Sequence, residues 1–425
     1  MEKTSAVYKA YMSILKEELI PAMGCTEPIS IAYGAAYVRD LLGGIPDRLD
    51  IEVSGNLIKN VKSVVVPNTG GLRGISASAA AGVIAGRTEK LLEVISEVTP
   101  EQKQAIQDYV SDHEINIALC NTPLTFDYIV TATRGNDTAK VRIANFHTNI
   151  VLAEKNGEKL IDRHVESGSE VELTDRSILN LDDILEFATA ADPVDLASLL
   201  DRQIEYNSAI AEEGLRGNYG ANVGKVLLAS CGDRVEMHAR AKAAAGSDAR
   251  MNGCELPVVI VSGSGNQGIT ASVPVIEFAR EMGANHETLL RALAISDLIT
   301  IHQKTGIGRL SAFCGAVSAG AGAAAGICWL QGGSRDEIAQ TLVNALAVSS
   351  GIVCDGAKSS CAAKISLSVE SGLTGWHMAR QGQKFLAGDG IVGDGVEKTI
   401  ENVGHLGHDG MRETDREILR IMTGQ

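Results

Sequence analysis

The chain has 425 residues, of which 45% are hydrophobic but only 4% aromatic, with 45 glycines and a net charge of −15. That length accommodates two domains, and a core short of aromatics has to be packed closely by Ala, Val, Ile and Leu. The acidic balance argues against nucleic acid or anionic lipid as partners, since both need basic patches to neutralise phosphate.

Residues 1–23 mix Lys3, Lys9, Lys16, Glu17 and Glu18 through an apolar pattern, which predicts an amphipathic helix rather than a secretory signal and a cytoplasmic location. After a break at Pro21-Ala22-Met23-Gly24 a second helix is predicted over 27–42, with Thr26 as its N-cap and Gly43-Gly44 as its stop. Residues 49–66 are β-branched and alternating, and read as two strands about a Ser54-Gly55-Asn56 turn. Residues 74–98 return to helix. Residues 126–133, 140–145 and 149–154 predict an antiparallel meander, with turns at Arg134-Gly135-Asn136-Asp137 and Asn156-Gly157. From Ile184 onward the pattern is helical apart from a short strand over 257–261. Residues 310–334 carry no charge and are long enough to cross a bilayer, but their Gly, Ala and Ser content predicts a buried helix and no membrane span. The expected fold class is α+β. Residues 46–191 would form a smaller antiparallel-sheet domain and residues 192–425 a mainly helical catalytic domain, on which the helices of residues 1–45 pack. Asp192-Pro193 marks the boundary.

Three of the eight cysteines, Cys314, Cys354 and Cys361, sit among small residues, separated by 39 and 6 positions. That spacing is no zinc-finger pattern, and three thiolates would leave one iron of a four-iron cluster free for a substrate atom. Cys120, Cys231, Cys254 and Cys328 have no comparable setting and read as structural. Gly263-Ser264-Gly265-Asn266-Gln267-Gly268 follows a predicted strand as a dinucleotide loop would, yet no second strand with an acidic end follows, and Pro274 interrupts the next helix. It reads better as an anion cradle, with Ser264, Asn266 and Gln267 as candidate substrate contacts. The loop of residues 67–73 is similar and could hold the other end of the same ligand. Cys25, just before the second helix, occupies a position that favours thiolate, so it could act as base or nucleophile.

Four ordered strings carry a resemblance: Met23-Gly24-Cys25-Thr26-Glu27-Pro28, Ser262-Gly263-Ser264-Gly265-Asn266-Gln267-Gly268, Ile307-Gly308-Arg309-Leu310-Ser311-Ala312-Phe313-Cys314-Gly315 and Cys354-Asp355-Gly356-Ala357-Lys358-Ser359-Ser360-Cys361. Together they resemble the iron–sulfur L-cysteine desulfidases and their YhaM-like relatives, allied to the α chain of iron–sulfur L-serine dehydratases. The resemblance implies that Cys314, Cys354 and Cys361 hold a [4Fe–4S] cluster, that Cys25 stands opposite it for proton transfer, and that Asn68 and Thr69 contact substrate. The implied activity is β-elimination of L-cysteine to pyruvate, ammonia and sulfide. Some serine dehydratases of the wider group carry a C-terminal cysteine that can occupy the fourth iron. The final residues Met422-Thr423-Gly424-Gln425 offer none, which favours the desulfidase arm. Rival readings are an iron–sulfur L-serine dehydratase, a non-catalytic iron–sulfur redox sensor, and a pyridoxal phosphate lyase using Lys225, Lys304 or Lys358. The expected partner is a small amino acid, and homo-oligomerisation stays open.

Overall fold

Local chemistry sets many of the element ends. The computed structural model describes residues 1–165 and 173–424. Helix α1 (Ala6–Glu18) starts where Ser5 accepts the Tyr8 N–H, and a short strand β1 (Pro21–Met23) follows it. Helix α2 (Thr26–Leu42) stops at Gly43, which takes the left-handed conformation at φ 85°. Thr26 is therefore the first helical residue rather than the cap, and Cys25 occupies the N-cap position.

Strand β2 (Arg48–Val53) matches the first half of the predicted hairpin, but the second half is helix α3 (Gly55–Val61). The helical period wins there because Leu57 and Val61, four residues apart, bury the same face. Helix α4 (Gly74–Ala85) and a 3₁₀ turn (Thr88–Glu93) follow. A capping box of Thr99 and Gln102 opens α5 (Pro100–Asp112). Strand β3 (Glu114–Leu119), which the sequence pattern did not reveal, is largely exposed and lies parallel to β2 at the sheet edge.

The predicted meander is present as β4 (Asp127–Arg134), β5 (Asp137–Ala144) and β6 (Ile150–Lys155), extended by β7 (Glu158–Asp162). Two-residue loops join β4 to β5 and β6 to β7, and Asn156 and Gly157 both adopt positive φ in the second. The sheet order is β3-β2-β4-β5-β6-β7, mixed rather than wholly antiparallel because of the β2–β3 pair. Helix α2 lies across α4 and the strands β4, β5 and β6, while α1 packs the Tyr8 and Tyr11 rings, tilted, against Phe187 of α6 (Leu181–Ala190).

Asp192 caps α7 (Pro193–Arg216), and α8 (Val223–Cys231) and α9 (Val235–Met251) follow. Strand β8 (Pro257–Val259) pairs antiparallel with β1 and leads into α10 (Gly265–Glu281), which runs through Pro274. The remaining helices are α11 (His286–Ile307), α12 (Gly315–Leu330), α13 (Arg335–Ser349), α14 (Cys361–Arg380), α15 (Gly395–His405) and α16 (Arg412–Thr423). The uncharged stretch is thus the buried helix α12, and among the described residues no helix is long and apolar enough to cross a membrane. The α+β class holds, and one continuous apolar core runs from Val130 and Val141 of the sheet to Leu298 and Ile365 of the helices.

Small residues let α12 and α14 touch at the backbone. A Cβ on Gly320 would stand 2.4 Å from the Ser368 carbonyl oxygen, and one on Gly372 would stand 2.5 Å from the Gly320 carbonyl oxygen. Gly320→Ala should therefore force the helices apart and cost about 1–3 kcal/mol. A lower urea midpoint checks this, and an unchanged midpoint would refute the close contact.

Candidate active site

Two short backbone pairings bring the predicted cysteines together. Phe313 and Val353 form an antiparallel bridge, the Cys314 N–H donates to the Ile352 carbonyl at 3.1 Å, and the Cys354 N–H donates to the Ala312 carbonyl at 2.6 Å. Cys314 is the N-cap of α12 and Cys361 the first residue of α14, so both thiols sit at helix starts. The loop between Cys354 and Cys361 is held by Asp355, which pairs with both Lys358 and Lys364. Lys59 of α3 reaches the same loop, donating to the Cys354 carbonyl at 3.4 Å while paired with Asp415 of α16. All three cysteines are free and line one cavity of about 100 Å³.

Cys25 lines the same cavity. Its thiol is 2% exposed, packs with Val64 and Met251 beside Cys361, and donates to Glu27 Oε2 at 3.1 Å. Burial raises its pKa well above the ordinary value and the Glu27 charge adds to this, against an opposing effect of Arg250. The expectation of an activated thiolate is thus corrected: desolvation and a neighbouring carboxylate outweigh the helix N-terminus. Burial likewise pushes Cys314 up to about 12 and raises Cys361, with the charge of Cys354 adding to both. The protein alone therefore holds Cys25, Cys314 and Cys361 as thiols, and metal binding at the latter two would have to displace their protons.

Ser264, Asn266 and Gln267 line the same cavity. The glycine loop is not part of a dinucleotide fold, since β8 pairs only with the short antiparallel β1. Gly268 instead seats α10 on β8, where an added Cβ would lie 2.0 Å from the Val259 carbonyl oxygen. Asn68 and Thr69 stand outside the lining: Asn68 Nδ2 donates to the Ile95 carbonyl at 2.9 Å and Thr69 Oγ1 to the Val66 carbonyl at 2.7 Å. Cys120, Cys254 and Cys328 take no part in the lining either, and the Cys231 side chain is not among the described groups. Of the three lysines considered for a Schiff base only Lys304 lines the cavity, where burial lowers its pKa to about 8 against the opposing charges of Cys354 and Cys314.

Several lining groups were not expected as site residues from the sequence, and three of them, His147, Glu27 and Arg250, bear on the chemistry. His147, in the β5–β6 connection, is buried edge-on to Phe126 at 4.8 Å, and among the described residues its Nε2 has no hydrogen-bond partner. Burial lowers its pKa to about 4; Glu27 opposes the shift and Arg309 and Arg250 reinforce it, so the ring is neutral at neutral pH. Glu27 accepts from Cys25, from Thr26 Oγ1 at 3.1 Å and from Asn60 Nδ2 at 3.3 Å. Arg250, at the end of α9, donates Nη1 to Asn266 Oδ1 at 3.1 Å. Only Glu27 lay inside a recognised motif; His147 and Arg250 each stand alone in a turn and an Ala-rich helix.

The donor set is all sulfur, which suits iron–sulfur chemistry. Among the described residues no group of three His, Cys, Asp or Glu side chains is placed to hold a single metal ion. Three thiols on separate segments around one cavity fit a cluster instead, in which each thiolate takes a different iron.

Comparison with known proteins agrees with this chemistry. The serine dehydratase alpha chain family matches residues 89–420. A UPF0597 protein of Desulfitobacterium hafniense is 56% identical over 425 residues, covering 100% of this chain and 99% of its own length. UPF0597 proteins of Lachnoclostridium phytofermentans and Treponema denticola are 49% and 46% identical, covering 98% and 99% of this chain and 100% and 99% of their own lengths. Fold and family together define an iron–sulfur-type dehydratase or lyase. The chain belongs to the serine dehydratase alpha chain family.

The buried neutral His147 makes a pH prediction. Its folded pKa lies below the unfolded value of about 6.5, so the unfolded chain binds the extra proton between about pH 4 and 6.5 and stability is lost as pH falls through that window. His147→Gln should remove on the order of 3 kcal/mol of that dependence. Chemical denaturation of both proteins at pH 4.5 and 7 reads the difference, and parallel pH profiles would contradict it.

Proposed function

We propose that the chain is an iron–sulfur-dependent lyase that eliminates hydrogen sulfide from L-cysteine, leaving aminoacrylate that tautomerises and is hydrolysed by water to pyruvate and ammonia. The observation that carries this reading is the convergence of Cys314, Cys354 and Cys361 on one small cavity that Cys25 also lines. These three would hold a [4Fe–4S] cluster. When bound, the cluster supplies an iron without a protein ligand, a soft Lewis acid for the departing sulfur.

The chain's own residues would do the rest. His147 would accept the α-proton, a role supported by its place in the cavity lining and by an Nε2 with no hydrogen-bond partner among the described residues. Cys25, kept protonated by burial and Glu27, serves as a donor in proton transfer rather than as the base. Ser264, Asn266 and Gln267 at the start of α10 orient the substrate. The family's description favours a second reading in which hydroxide leaves L-serine at the same site. The softness match between sulfur and iron, and the motif resemblance to desulfidases, favour L-cysteine.

Protein purified without oxygen should be brown, contain iron and acid-labile sulfide, and release sulfide from L-cysteine faster than ammonia from L-serine. Replacing Cys314, Cys354 or Cys361 by alanine should abolish the colour and lower turnover more than about 100-fold. His147→Gln should keep the colour and lose about 100-fold or more in kcat. A colourless, fully active preparation would sink the cluster reading, and a preference for L-serine would move the assignment to the second reading.

A further inference from the structure

We infer that Arg250 is the anchor for the α-carboxylate of a small amino acid, an inference that takes the ligand's identity from the lyase reading above. Arg250 is among the largest fully buried side chains, 2% exposed at the C-terminal end of α9. Nη1 is engaged by Asn266, but Nε and Nη2 have no hydrogen-bond partner among the described residues. Among the described residues no carboxylate pairs with it. Glu27, which lines the cavity, already accepts from Cys25, Thr26 and Asn60, and Glu18 is taken by Arg176 and Arg309.

A buried guanidinium with two unanswered donors is costly unless an anion completes it. The unanswered pair forms one edge of the fork, Nε–H beside Nη2–H, and that edge matches the two oxygens of a carboxylate. The fold makes room for it. An added Cβ at Gly265 would lie 2.4 Å from Arg250 Nε, so only glycine lets the side chain pass the start of α10 and line the cavity. That helix start has no side-chain cap, and its dipole favours the same anion. Cys25 and His147 line the same cavity as Arg250, so a carboxylate held there would share that cavity with both groups. Arg250 then reads the carboxylate and helps acidify the α-proton, while the cysteine side of the cavity receives the leaving group.

Calorimetric titration of the full chain with L-alanine and with L-alaninamide tests this, with iron content measured on each sample. L-alanine keeps the carboxylate and has no leaving group, so binding is read without turnover. L-alanine should bind at least about tenfold more tightly than the amide, and Arg250→Met should weaken L-alanine at least about tenfold. The same variant should keep the wild-type iron content and a melting temperature no lower than wild type, because it removes a buried unpaired charge. Arg250→Lys, which keeps the charge without the fork, should fall between the two. Should the methionine variant not fold, the lysine variant and the amide comparison on the wild type decide.

Equal affinity of the wild type for both ligands, no binding of L-alanine, or full affinity in Arg250→Met would each overturn the proposal. Loss of iron on substitution would also overturn it, by assigning the charge to the cysteine site instead. A failed lyase reading looks different: no iron and no sulfide release, with L-alanine still preferred over its amide.

Discussion

Backbone contact between α12 and α14 is the constraint on which the site depends. Glycine at 320 and 372 lets the two helices meet carbonyl against Cα, so their separation is set by main chain and tolerates little drift. Each helix opens on a cysteine, Cys314 or Cys361, and the spacing of the helices therefore becomes the spacing of the thiols. The bridge between Phe313 and Val353 then locks Cys354 beside Cys314. A larger aromatic core would have held the helices farther apart and left the positions of these thiols to flexible loops.

Desolvation governs the chemistry inside that frame. It keeps Cys25 and Cys314 protonated, His147 neutral, and lowers Lys304 towards neutrality, each by penalising the charged form. Arg250 is a different case: a buried guanidinium whose Nε and Nη2 have no hydrogen-bond partner among the described residues. Its unanswered N–H groups are thus a different kind of feature from the shifted thiols. In the proposed function the thiols would lose their protons to a metal, whereas the arginine would gain its counter-charge from a bound anion.

Much of this was legible in the sequence where chemistry is local. Helix stops at Gly43, the hairpin at Asn156-Gly157 and the alternation of residues 126–154 act within a few positions, and these elements stand where the pattern puts them. The misread segment, α3, shows the limit. Its residues satisfy alternation and helical spacing alike, and burial of Leu57 and Val61 together decided between them. Strand β3 was missed for a different reason: Glu114-Ile115-Asn116-Ile117 does alternate, but the strand is short and lies largely exposed at the sheet edge, so no buried face singles it out.

The candidate site divides in the same way. Cys25, the glycine loop and the three later cysteines carried a recognisable chemistry in their residue types and order, because thiols and bare glycines have few equally good substitutes in those roles. Which of them meet, and in what protonation state, depended on segments more than 200 residues apart, such as the contact of Thr26 Oγ1 with the Gly263 carbonyl at 2.9 Å. His147 and Arg250 belong wholly to that second kind. By itself the sequence determined the donor atoms and the helical frame. Only the tertiary structure decided which polar atoms were buried without partners, since burial is a property of packing between distant segments and no local pattern encodes it.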